Sequence, residues 1–171
     1  EEGLPLDLIY LSMIESGFKP QAYSKAGAAG LWQFIPSTGL IYGLRRDWGI
    51  DERRDPIKST VAAARHLKDL YTHLEDWRLA LAAYNCGQGR LKRAVSKAKS
   101  RNFWDLDLPR ETKNFVPAFM AAVVMSKNPE AFGFDDLVYD PPIEYDEVEV
   151  PWGMSLSVAA ECSGTSYQEI K

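Results

Sequence analysis

Two cysteines and two histidines are all that the 171 residues contain, and neither pair makes a metal centre. Cys86 and Cys162 have no metal-ligand spacing and are either one disulfide or two free thiols. His66 and His73 lie two helical turns apart, about 10.5 Å of rise, too far to share an ion without bending the helix. They read as surface histidines, and no metal or cofactor is expected. Excess positive charge is missing too: 20 Lys and Arg face 24 Asp and Glu, a net charge of −4. That argues against a nucleic-acid surface and against holding an anionic polymer mainly by charge. The run Arg90, Lys92, Arg93, Lys97, Lys99 and Arg101 reads as the solvated face of a helix. No apolar stretch is long enough to span a bilayer, and no signal peptide is present. The abrupt opening at Glu1-Glu2-Gly3, close to a helix start, reads as an excised segment whose leader is missing.

What is present is an ordinary globular composition, 46% apolar and 26% charged, in a chain long enough for one full core and a small appendage. Alternation of the kind a half-buried strand shows is absent before residue 134, so the main domain reads as helical with minor β. A first helix is predicted from about Pro5 to Ser16, then a loop rich in Gly, Ala and Ser from Phe18 to Gly30. A short helix is expected at Leu31 to Ile35 and another from Pro36 to about Gly43. Asp55-Pro56 opens a long helix as cap and first residue. Its positions Ile57, Val61, Ala64, Leu67, Tyr71 and Leu74 repeat every three or four residues and predict a core-facing stripe. Asp76 caps a helix from Trp77 to Asn85, Gly87 and Gly89 break it, and Arg90 to Lys99 resumes. Pro109 starts a helix running to about Lys127, with a kink at Pro117.

Composition shifts after Phe134, which sets the domain at residues 1–134. Residues 135–144, with three Asp and two adjacent Pro before Ile143, read as a linker or extended arm. Glu144 to Val150 alternates acidic with apolar or aromatic residues, the pattern of one short strand. Ser155 to Ser163 reads as a helix with Leu156, Ala159, Ala160 and Cys162 on its apolar side. Ser166 and Glu169 have capping-box spacing for one more. Residues 145–171 therefore form a short β-α extension that looks like a truncated small module.

The feature with most chemistry is Glu15. The helix before it carries Leu4, Leu6, Leu8, Ile9, Tyr10, Leu11, Met13 and Ile14, interrupted by Asp7 and Ser12. A helix apolar on all faces is buried, and Glu15 shares the face of Leu8 and Leu11. Gly17 supplies the left-handed stop, so Glu15 sits in the last turn, where burial and the dipole both disfavour a negative charge. Such a carboxyl holds its proton near neutral pH, as a general acid must. A Glu at a helix end can also simply fray into solvent, and without the residues that follow, that plainer reading is the stronger. After it come Ser24-Lys25-Ala26-Gly27-Ala28-Ala29-Gly30-Leu31-Trp32-Gln33-Phe34. Gly27 and Gly30 point to special backbone geometry and close approach of a ligand. The stretch is not a phosphate loop, because it lacks the Lys-Ser/Thr of that motif.

Glu15-Ser16, the segment Ser24 to Gln33, Ala83-Tyr84-Asn85-Cys86-Gly87, and Leu108-Pro109-Arg110-Glu111-Thr112, in that order, resemble the soluble-lytic-transglycosylase family, and within it the membrane-bound lytic murein transglycosylase D type. The match covers about Gly3 to Ala122. The resemblance implies a lysozyme-like, goose-type helical domain that cleaves the bond between N-acetylmuramic acid and N-acetylglucosamine in peptidoglycan and leaves a 1,6-anhydro ring. By position it makes Glu15 the catalytic acid and base. Ser24, Gln33, Tyr84, Asn85 and Glu111 become substrate-binding residues of the groove. The family commonly has Tyr-Val where this chain has Phe115-Val116, so Phe115 is read as groove wall. The tail from Tyr145 to Lys171 resembles the first part of a LysM peptidoglycan-binding module. The resemblance further implies a monomer acting on glycan strands in the periplasm, associated with the outer membrane through an anchor outside this chain.

Each residue also has a plainer reading. Trp32 is read from composition as a core Trp with its N–H satisfied. Gln33 is either a loop cap or an amide for an N-acetyl group. Ser24 is a turn hydroxyl in most settings. Tyr84 is a packed aromatic, or one whose hydroxyl points at Glu15 or the acetamido group. Most glycosidases pair the acid with a second carboxylate, about 5–5.5 Å away in retaining and about 6.5–9.5 Å away in inverting enzymes. The first helix offers only Asp7, two turns back. A goose-lysozyme-like hydrolase would need Asp51, Glu52 or Asp55 to hold a water opposite Glu15. A non-catalytic wall-binding module is the third reading.

Overall fold

The computed structural model describes residues 3–138, 140–141, 148 and 153–170. The chain divides into two compact units, Glu1–Asp135 and Asp136–Lys171. In the first, a 3₁₀ turn over Leu6–Ile9 leads into α1, Tyr10–Ser16. Then come α2 (Pro36–Ile41), α3 (Pro56–Leu74), α4 (Trp77–Cys86), α5 (Gln88–Ala98) and α6 (Arg110–Lys127). Among the described residues β-structure is limited to isolated bridges, Tyr23 with Ala29, Ala29 with Phe34 and Arg46 with Asp51. The predicted starts of α3 and α4 hold. Asp55 accepts from Ile57 and Lys58 N–H, and Asp76 from Arg78 and Leu79 N–H, which satisfies donors a helix leaves orphaned. Helix α6 runs through Pro117.

The helix buried on every side is α4. Leu79, Ala80, Leu81, Ala82 and Ala83 are all buried, and α3, α5 and α6 pack around them. The all-round burial expected of the first helix is not found. Leu8, Leu11 and Ser12 face inward, but Leu6 is 90% exposed and Ile9 and Met13 are 45% exposed. Helix α1 packs against α6 and leaves its Leu6, Ile9 and Met13 face uncovered; apolar content told how much could be buried, not which face had a neighbour. The α3 stripe is also rotated. Ile57, Val61 and Tyr71 are exposed, while Ser59, Ala62, Ala63, Leu67, Leu70 and Leu74 are buried. Of the predicted stripe, Leu67 and Leu74 do face inward, and the small residues Ser59, Ala62 and Ala63 take the buried positions in its first half.

Residues 31–35 do not form the expected helix. They make a turn, with Gly30 at φ 83° and Gln33 at φ 48°, both outside the helical region. In the second unit, α7 (Leu156–Ser163) is capped by Ser155, whose Oγ accepts from Val158 N–H. Ser166 and the Glu169 side chain cap α8 (Tyr167–Ile170) reciprocally. On α7, Ala160 is buried, but Leu156 and Cys162 are exposed. The strand expected at 144–150 lies, but for Val148, outside the described residues. Cys86 and Cys162 are both free thiols.

Candidate active site

The loop between α1 and α2 is built on one buried arginine. Arg53 has no exposed surface. Its Nε and Nη2 donate to the two carboxylate oxygens of Asp51, at 2.8 and 2.6 Å, and its Nη1 donates to the carbonyls of Gly27 at 2.7 Å and Phe34 at 2.8 Å. A buried charge is tolerated only when paired and hydrogen-bonded, and here that requirement fixes the loop. Gly30 lies against this knot: a Cβ there would stand 1.7 Å from the Arg53 carbonyl oxygen. The close approach at Gly30 is thus to the chain's own backbone, not to a ligand as expected. On the other side, the Ser16 and Ser12 hydroxyls of α1 both donate to the Leu31 carbonyl, at 2.8 and 3.2 Å. Sequence reasoning missed Arg53, Ser12 and Ser16; a serine at helix spacing inside an apolar run was the one available signal.

This framing opens a cavity of about 1000 Å³. Glu15, Ser24, Gln33, Tyr84, Asn85 and Glu111 all line it. Glu15 occupies the last turn of α1, where Gly17 closes the helix in the left-handed conformation. Its pKa is raised from the ordinary 4.5 to about 8, first by burial and then by the charge of Glu111. Glu111 itself is exposed at the start of α6. Asn85 reaches it with a long Nδ2 to Oε1 contact of 3.5 Å, while Asn85 Oδ1 accepts from Thr112 Oγ1 at 2.7 Å. The buried Thr112 therefore sets which way the amide points.

Ser24 and Gln33 hold the loop with the atoms they show. Ser24 Oγ accepts from Ala28 N–H at 3.0 Å, and Gln33 Nε2 donates to the Gly30 carbonyl at 2.9 Å. Trp32 is the core residue expected, its Nε1–H donating to Thr60 Oγ1 at 2.8 Å. Of the two readings of Tyr84, the structure matches the packed aromatic. Its hydroxyl donates to the Trp32 carbonyl at 2.8 Å, 52 residues away, rather than to Glu15. Burial and then the Glu15 charge hold the phenol well above its ordinary pKa, so toward Glu15 the oxygen has only lone pairs to offer. Phe115 is buried in the wall.

His66 is not the surface histidine expected. It lines the cavity, packed among Tyr42, Tyr84 and Phe34 at ring-centroid distances of 4.8, 5.0 and 6.1 Å. His73 is exposed as expected. The carboxylates suggested for a water-activating role are engaged elsewhere, and none of them lines the cavity. Asp51 is held low by Arg53, Glu52 by Lys58, and Asp55 caps α3. Among the described residues, the carboxylates that do line it are Glu15, Glu111 and Asp69.

A neutral acid beside hydroxyl, amide and aromatic groups, in an open groove, suits the cleavage of a sugar chain. Comparison with known proteins agrees. Residues 2–106 match the family described as the transglycosylase SLT domain. The membrane-bound lytic murein transglycosylase D of Escherichia coli K12 is 37% identical over 176 residues, covering 100% of this chain and 39% of that protein. The peptidoglycan transglycosylase gp16 of Escherichia phage T7 is 33% identical over 136 residues, 77% of this chain and 10% of that one. An inactive mutant of the lytic transglycosylase Slt of Pseudomonas aeruginosa, solved by X-ray, superposes with a TM-score of 0.61 over 76% of this chain and 22% of its own, at 24% identity. The fold is thus shared with Slt. The chain spans about two-fifths of the length of the Escherichia coli relative.

Proposed function

The chain belongs to the transglycosylase SLT domain family, and from that premise we propose that its groove cleaves the N-acetylmuramyl–N-acetylglucosamine bond of peptidoglycan as a lytic transglycosylase. The observation that carries the reading is the Glu15 carboxyl, whose pKa, raised to about 8 by burial, keeps it mostly protonated at pH 7. Glu15 donates its proton to the glycosidic oxygen as the bond from C1 breaks, which leaves a glucosaminyl hydroxyl and a cationic muramyl centre. The resulting carboxylate then takes the proton of the muramyl C6 hydroxyl while O6 bonds to C1. No water is consumed, and Glu15 ends protonated. The C6 hydroxyl is tethered to the reacting ring, so its effective concentration far exceeds that of a free nucleophile. Ser24, Gln33, Tyr84, Asn85 and Glu111 bind the glycan around this centre.

The test is the product. Mass spectrometry of digested sacculi is expected to give muramyl ends lighter by one water and without a reducing end. Reducing muramic acid in the first minutes would turn the assignment to a goose-lysozyme-like hydrolase. That Glu111 lines the same cavity and its charge acts on Glu15 favours that second reading, with Glu111 rather than Asp51, Glu52 or Asp55 as the base. We assign the enzyme to the periplasm, at the outer membrane. The names of its membrane-bound relatives support this. No described helix is long and apolar enough to cross a membrane, and the anchor is assigned outside this sequence. Residues 145–171 are assigned as a truncated LysM-like segment that retains the protein on the wall.

A further inference from the structure

The hydroxyls of the rings flanking His66 are already used within the protein, and the Nδ1 of its own ring is not. Tyr42, on one side of the imidazole, donates its hydroxyl proton to Asp69 Oδ2 at 3.1 Å. Tyr84, on the other, donates to the Trp32 carbonyl. His66 Nδ1 is buried without a hydrogen-bond partner, although the ring lines the cavity that holds Glu15. Burial lowers its pKa to about 4 against the opposing charge of Asp69, so the ring is neutral at neutral pH. A neutral imidazole carries one N–H and one bare nitrogen. An orphaned buried N–H is rarer than an under-satisfied acceptor, so the proton belongs on Nε2. With Nδ1 sealed by protein, the Nε2 edge is the polar edge left for the groove. Packed against the ring are Tyr42, Tyr84 and Phe34, which offer apolar faces.

From this we propose that His66 is a glycan-binding residue, its Nε2–H donating to the acetamido carbonyl of a bound sugar while the flanking rings receive the acetamido methyl. A carbonyl oxygen is a pure acceptor and matches a pure donor, and one donor between apolar faces fits an acetamido group better than a sugar hydroxyl, which would leave its own proton unpaired. The proposal rests on the groove being a glycan site. It does not depend on whether cleavage proceeds by transglycosylation or hydrolysis.

Binding is read without turnover, in protein carrying Glu15→Gln. The probes are an N-acetylglucosamine oligomer and a glucose oligomer of equal length, which has hydroxyls in place of acetamido groups. Adding His66→Phe keeps a ring between Tyr42 and Tyr84 and removes both nitrogens. It is expected to weaken the acetylated oligomer about three- to tenfold, the worth of one neutral hydrogen bond, and to leave the glucose oligomer and the melting temperature unchanged. His66→Gln, which restores an N–H, is expected to recover part of the loss. Nitrogen-15 chemical shifts of the His66 ring, recorded with His66 intact, should give the Nε2–H tautomer and move when the acetylated oligomer binds. Equal weakening of both oligomers, no weakening at all, or an Nδ1–H tautomer would overturn the proposal while leaving the glycan groove in place. Failure of the Glu15→Gln protein to bind either oligomer would remove the groove reading itself.

Discussion

Replacing Glu15 by Gln should make the protein more stable, by an amount that grows with pH. The folded state raises this carboxyl from 4.5 to about 8, chiefly by burial. Between those two values the folded chain holds a proton that the unfolded chain has released. Stability therefore falls as pH rises through this window and is unaffected by this group below it. Glutamine has the shape of the protonated acid and never ionises. The gap between variant and wild type should be near zero at pH 4, about 3 kcal/mol at pH 7 and about 5 kcal/mol by pH 9, at 1.36 kcal/mol per pH unit. For a chain of this size roughly 2–4 °C accompanies each kcal/mol, so the variant should melt about 6–12 °C higher at pH 7. Contributions of other titrating groups cancel in the comparison. Catalysis should fall by about 10²–10⁴ or more, the worth of general acid–base action. Paired thermal melts from pH 4 to 9 decide the matter. A melting difference that does not change with pH, or a variant less stable than wild type at pH 9, would refute the buried-acid account.

Glu111→Gln removes the like charge that raises Glu15, so the alkaline limb of kcat/KM should move to lower pH; an unmoved limb would show that burial acts alone. Arg53→Met strands the Asp51 carboxylate and frees two carbonyls, and should destabilise by about 3–5 kcal/mol in urea unfolding, with activity lost through the loop. Gly30→Ala should prevent folding to a soluble product, because the new Cβ meets Arg53 backbone at 1.7 Å. Gly27→Ala meets nothing nearer than Tyr23 Oη at 3.7 Å and should cost only about 1–2 kcal/mol for its left-handed backbone.

Features governed by near neighbours in the chain are legible in the sequence. Asp55, Asp76, Ser166 and Glu169 cap helices two or three residues away, and Gly17 ends α1 within one turn of Glu15. The six groove residues, Glu15 to Glu111, could be named because several spaced motifs matched a family, not because spacing alone brought them together. What depends on distant partners is hidden. Arginine is almost never fully buried unless paired, and the burial of Arg53 depends on carbonyls 19 and 26 residues away. The acceptor of the Tyr84 proton is 52 residues back. His66 reads as a surface residue because helical period does not reveal that Tyr42, Phe34 and Tyr84 converge on it. The α3 stripe is only half right, with Leu67 and Leu74 buried but Ile57, Val61 and Tyr71 exposed, because hydrophobicity alone does not say that small residues can hold the buried positions of the helix.

The packing of α1 against α6 joins the first helix of the domain to its last, and that ordering has a consequence during synthesis. A chain leaves the ribosome N-terminus first and its domains fold as units. Glu15 is made well before α6, yet its burial and its coupling to Glu111 wait for residues 110–127. Until that segment has emerged, the carboxyl is exposed to water, keeps an ordinary pKa and is ionised at neutral pH. A nascent or truncated chain lacking α6 therefore carries Glu15 in its ionised form, and the protonated acid arrives in one step with completion of the domain.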